Sequence, residues 1–134
     1  MNKTTRDNLS TAMHGEAFAY AKYMLFAKRA RQSGNTELGE LFEKTAEEEL
    51  LEHFEEEAAL AGLVSTDAKN LEDAIQGESY EVDTMYRDFA EQALSAGETA
   101  VGERFAEIHR DEMKHRDAFR QALAKSAKHP SRAA

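Results

Sequence analysis

The sequence predicts an all-α fold, a four-helix bundle made of two helical hairpins joined by a long crossover. Three observations predict it. Among 134 residues there are only seven glycines and one proline, Pro130, which lies in the tail. Long stretches rich in Ala, Glu, Leu and Lys carry apolar residues at steps of three and four, the helical period. Tight Gly turns alternate with one longer polar segment.

The first helix runs from about Thr5 to Ser33 and stops at Gly34, a residue suited to the left-handed position after a helix. Asn35 caps the second helix, which continues to about Ala61 before Gly62. The third is placed from near Asn70 to Ser95, ahead of Gly97, and the fourth from about Glu98 to Ser126. The polar segment from Gly62 to Lys69 separates two hairpins with tight turns. That alternation of short and long connections is the ferritin-like variant of the bundle. A single domain over residues 1–134, with an ordered core at about 5–126, follows from this length.

Charge and composition exclude several function classes. The net charge of −9 opposes nucleic-acid binding, which rests on Lys and Arg neutralising phosphate. With no cysteine, the chain has no disulfide, no iron–sulfur centre and no Cys-ligated metal, a rubredoxin-type iron site included. The N-terminal MNKTTRDNLS has no apolar core of a signal peptide, and no apolar run spans a bilayer, so a cytoplasmic protein is expected.

Acids interrupt the faces that should be buried. Helix four presents Val101, Phe105, Ile108, Glu112, His115, Phe119 and Leu123 on one stripe. Helix three presents Leu71, Ala74, Glu78, Glu81, Met85 and Phe89; helix one places Glu16 between Met13 and Tyr20 or Tyr23. Helix two gives Leu38, Phe42, Thr45, Glu49, Glu52 and Glu56. An unpaired carboxylate costs several kcal/mol to bury, about the stability a single domain can lose, so Glu16, Glu49, Glu52, Glu78, Glu81 and Glu112 require compensating positive charge. No Lys or Arg occupies these mid-stripe positions. Six carboxylates and the His115 imidazole instead suit two iron ions, with manganese as the alternative.

The two halves repeat one another. Gly15-Glu16 and Gly77-Glu78 are 62 residues apart, whereas Phe42, Glu49 and Glu52 precede Phe105, Glu112 and His115 by 63. A single-residue slip at a turn accounts for the difference. Both Glu52 and His53 are helical neighbours of Glu49. Carrying the 63-residue offset forward pairs Glu52 with His115, which selects Glu52 as the ligand and leaves His53 at the surface or beside the site. His14, His109 and His129 are read as surface or boundary residues.

The segments GEAFAYAKY, FEKTAEEELLEH, NLEDAIQGESYEVDTMY and FAEIHRDEMKH resemble the ferritin-like di-iron domain of the rubrerythrin family, over about Asn8 to Leu123. The resemblance implies iron ligands at Glu16, Glu49, Glu78, Glu81, Glu112 and His115, with Tyr23 and Tyr86 as hydrogen-bond donors near the carboxylates. It implies reduction of hydrogen peroxide, and a homodimer. A ferritin-like iron-oxidising or iron-storing protein is the alternative function. Without a rubredoxin domain in this sequence, electrons are expected from an external, rubredoxin-like donor. The family's Glu-x-x-His in helix two is replaced here by Glu49-Leu50-Leu51-Glu52. A carboxylate in that place would favour the ferric state and lower the reduction potential.

Overall fold

A computed structural model describes residues 1–128; His129 and Pro130 lie outside the described residues. The described residues are mostly helical, with no strand among them. The backbone forms two compact units, Met1–Val64 and the part from Ser65 onward, each a helical hairpin.

The first hairpin begins with α1 (Lys3–Gln32). Its N-cap is Asn2, whose side chain accepts from the Thr5 amide at 2.8 Å. Gly34, at φ 81°, makes the reversal, and Asn35 accepts from the Leu38 amide at 3.1 Å to start α2 (Thr36–Glu48). The same rod continues through a π-helical segment, Glu49–Phe54, into α3 (Glu55–Ala61). Gly62, at φ 66°, ends it, with the Leu63 amide reaching back to the Ala58 carbonyl.

The second hairpin starts three residues earlier than the sequence suggests. Thr66 caps α4 (Asp67–Tyr80), and the Asn70 side chain bonds both the amide and the carbonyl of Ser65, tightening the entry. A second π-helical segment, Glu81–Met85, leads into α5 (Tyr86–Ser95). Gly97, at φ 80°, turns the chain into α6 (Thr99–Lys128).

The repeat is visible in the packing of each hairpin. Small residues line the helix contact: Ala27, Ala30 and Ala46 are buried in the first hairpin, Ala90 and Ala93 in the second. Gly39 and Gly102, 63 residues apart, sit at the closest approach; a Cβ on Gly102 would stand 3.2 Å from the Ala90 carbonyl oxygen. Tyr23, Phe26 and Phe42 cluster with ring centroids 5.4–6.3 Å apart, and Tyr86, Phe89 and Phe105 repeat the cluster at 5.7–6.5 Å. Between α1 and α2, Arg31 makes a two-pronged bond to Glu43 in which both of its donating nitrogens meet a carboxylate oxygen.

The one-residue slip lies inside helices, not at a turn. Glu16 and Glu78 are 62 apart, but Tyr23 and Tyr86 are 63 apart, so helix three gains a residue between them, where the Glu81–Met85 π segment stands. Glu49 and Glu112 are 63 apart, whereas His53 and His115 are 62 apart; here helix two holds the extra residue, within the Glu49–Phe54 π segment. A π turn is how a continuous helix absorbs a single inserted residue.

Candidate metal centre

Each hairpin brings two carboxylates and one imidazole together. In the first, α1 contributes Glu16, and the rod beginning with α2 contributes Glu49 and His53; one ligating atom of each lies within 4.8 Å of the others. His53 Nδ1 is 2.8 Å from Glu49 Oε2 and 3.8 Å from Glu16 Oε2. In the second, α4 contributes Glu78 and α6 contributes Glu112 and His115, again within 4.8 Å. His115 Nδ1 is 2.6 Å from Glu112 Oε2 and 3.9 Å from Glu78 Oε1.

The carboxylates are far less exposed than ordinary surface acids: 17% for the Glu49 side chain, 19% for Glu78 and 16% for Glu112. Their proximity shows in their acidities. A hydrogen bond to Glu49 holds the Glu16 carboxyl above the usual carboxylate range, with burial adding to the effect. Glu49 is held below that range by its bonds to Glu16 and His53. Burial raises Glu78, and the hydrogen bond and charge of Glu112 raise it further. Two carboxylates this close disfavour each other's charge, and a cation between them relieves that repulsion.

The donor set fits such a cation. Glu78 Oε2 is buried and has no hydrogen-bond partner, as expected of an oxygen placed for a metal ion. Carboxylate oxygens with one imidazole per cluster are hard to borderline donors suited to iron or manganese.

Of the residues singled out in the sequence, Glu16, Glu49, Glu78, Glu112 and His115 fall in the two clusters. Glu81 begins the π segment beside the second cluster, where burial and the Glu112 charge hold its carboxyl above the usual carboxylate range. Glu52 is exposed and lies outside the first cluster, where His53 stands. His53 thus follows Glu49 by four residues beside the first pair of carboxylates, where His115 follows Glu112 by three beside the second. The signal was the offset itself: returning from 63 to 62 after Glu49 aligns His53 with His115. Glu57 is an acid missed by the sequence reading; its Oε2 is buried without a partner and its charge raises the Glu16 carboxyl. Tyr86 is half-buried, and burial together with the charges of Glu81 and Glu112 raises its phenol. Tyr23 is half-buried in the first aromatic cluster.

Comparison with known proteins decides the family. The rubrerythrin family model matches residues 7–53 and 49–123. The chain belongs to the rubrerythrin family. It is 32% identical to a rubrerythrin of Porphyromonas gingivalis, over 92% of this chain and 70% of that one. It is likewise 32% identical to nigerythrin of Nitratidesulfovibrio vulgaris, covering 87% of this chain and 64% of the relative's length. A solved structure of fully reduced, all-ferrous nigerythrin aligns over 98% of this chain and 71% of that one, at 30% identity and a TM-score of 0.48. The two matched stretches overlap at residues 49–53. Rubrerythrins bind a di-iron centre, and their fold is the ferritin-like helical class to which this all-α chain belongs.

Proposed function

We propose that this rubrerythrin-family chain binds two iron ions, one held by each hairpin, and reduces hydrogen peroxide with electrons from an external rubredoxin-like donor. The observation that carries the reading is the duplicated carboxylate–imidazole cluster, with Glu78 Oε2 buried and unpartnered in one copy. Glu16, Glu49 and His53 would hold one ion, and Glu78, Glu112 and His115 the other, with Glu81 as a further carboxylate of the second hairpin. When bound, the iron pair supplies the two electrons needed to split the O–O bond.

The chain's own residues set the conditions for that chemistry. His53 Nδ1 and His115 Nδ1 are the atoms that face the carboxylates, so both rings offer a neutral nitrogen donor once the neighbouring protons have left. The Tyr86 hydroxyl, raised above its ordinary value, keeps its proton at neutral pH and can deliver a hydrogen bond or a proton to a departing oxygen. The aromatic clusters Tyr23–Phe26–Phe42 and Tyr86–Phe89–Phe105 provide apolar surface within each hairpin. The protein is proposed to act as a homodimer.

Stopped-flow oxidation of the anaerobically iron-loaded protein tests this function. The expected result is oxidation by hydrogen peroxide at least tenfold faster than by dioxygen, with repeated turnover when a reductant is added. Rapid dioxygen consumption with iron uptake far above two per chain would instead establish an iron-storing protein.

A further inference from the structure

The second π segment creates a backbone problem that one side chain solves. In an α-helix the Tyr86 amide would bond to the carbonyl four residues back, that of Val82. Here the Tyr86 amide bonds to the Glu81 carbonyl, five residues back. The Val82 carbonyl thereby loses its α-helical donor, and Val82 is only 5% exposed, so solvent is a poor substitute. His109, half-buried on α6, supplies the missing donor: its Nε2 lies 2.9 Å from the Val82 oxygen. Because a carbonyl only accepts, the ring must carry its proton on Nε2. A second tie from the same helix reaches the next residue, with Arg116 bonding Asp83 at 3.2 Å.

The first π segment shows what happens without such a donor. There the Glu55 amide bonds to the Leu50 carbonyl, releasing that of Leu51. Leu51 is 55% exposed, so its carbonyl is in reach of water. The residue 63 positions before His109 is Ala46, on a helix packed against α1, which is α-helical from Lys3 to Gln32 and releases no carbonyl there.

We propose that His109 is a positioning residue for the metal centre: by pinning the Val82 carbonyl it fixes the π turn that begins at Glu81, and with it the direction of the Glu81 carboxylate. Without that bond, the cheapest repair is for the Tyr86 amide to return to Val82, which moves the inserted residue along the helix and rotates Glu81 relative to Glu78. The inference rests on the reading of Glu81 as a metal ligand, and its test separates the two.

Cobalt(II) serves as the probe, since its visible spectrum reports ligand geometry. Metal-free wild type, His109→Gln, His109→Leu and Glu81→Gln are titrated with Co(II). Wild type binds two ions; His109→Leu binds one of them roughly 10- to 100-fold more weakly, with an altered spectrum resembling that of Glu81→Gln. His109→Gln, which keeps an N–H donor, recovers most of the affinity and the spectrum. A His109→Leu protein that melts earlier but binds both ions with unchanged affinity and spectrum overturns the inference and leaves the metal reading intact. A wild type that binds no Co(II) overturns the metal reading, and the inference with it. Should His109→Leu fail to fold, long-range ¹H–¹⁵N NMR on the wild-type ring decides: protonation at Nε2 supports the bond, and protonation at Nδ1 alone overturns it.

Discussion

Glu16, Glu78 and Glu81 have pKa values raised in the fold, each by burial or by a neighbouring carboxylate. A raised carboxyl favours the folded state below its unfolded pKa, and that contribution is lost as pH rises through the folded value. The metal-free protein should therefore melt at progressively lower temperature as pH climbs out of the carboxylate range toward neutrality. Glu49, held below the usual range by its bonds to Glu16 and His53, works in the opposite sense. Metal binding displaces these protons, so affinity should rise with pH and the loaded protein should lack the decline. Calorimetric melting of loaded and metal-free protein from pH 5 to 8 checks this; Glu78→Gln should flatten the metal-free decline. A metal-free melting temperature that rises steadily over that range would contradict it. Most of these residues were legible in sequence because they break apolar stripes on helices whose register the stripes themselves define. His53 was not, because the register there changes within the helix.

The two π segments are where sequence reasoning at the level of elements ran out. Helix ends were legible from Gly34, Asn35, Gly62 and Gly97, and the structure uses all four as expected. A π turn has no comparable signature, since Glu49–Phe54 reads as ordinary helix former. Only the change of offset between the halves betrays it. This gives a discriminating experiment. Deleting Leu51 converts Glu49-Leu50-Leu51-Glu52-His53 to a Glu-x-x-His spacing and should turn the π segment into regular α-helix. With His53 as the ligand, the shortened protein keeps both metals, as does Glu52→Ala, while His53→Ala loses affinity. With Glu52 as the ligand, the deletion moves it two residues from Glu49, about 200° round the helix, and metal is lost. Elemental analysis of the three variants, with melting temperature as the check on folding, separates the alternatives.

Across the whole chain, the two hairpins share the Gly39 and Gly102 close approaches, the aromatic clusters and the carboxylate–imidazole groups. They differ where one residue has been inserted, in helix two of one and helix three of the other. Duplicated packing positions a duplicated set of carboxylates and imidazoles, while the insertions change their spacing: a π segment begins at Glu81 in the second hairpin, and Glu49 to His53 lengthens in the first. Metals bound only by the native fold would add about 4 kcal/mol at a thousandfold excess over Kd, a large share of a small domain's stability. The most direct test is a crystal structure of the iron-loaded protein with anomalous differences measured at the iron edge. The predicted result is two iron peaks per chain, one within bonding distance of Glu16, Glu49 and His53, the other of Glu78, Glu112 and His115. No peak at either cluster, or a peak bonded to Glu52 with His53 turned away, would contradict the account.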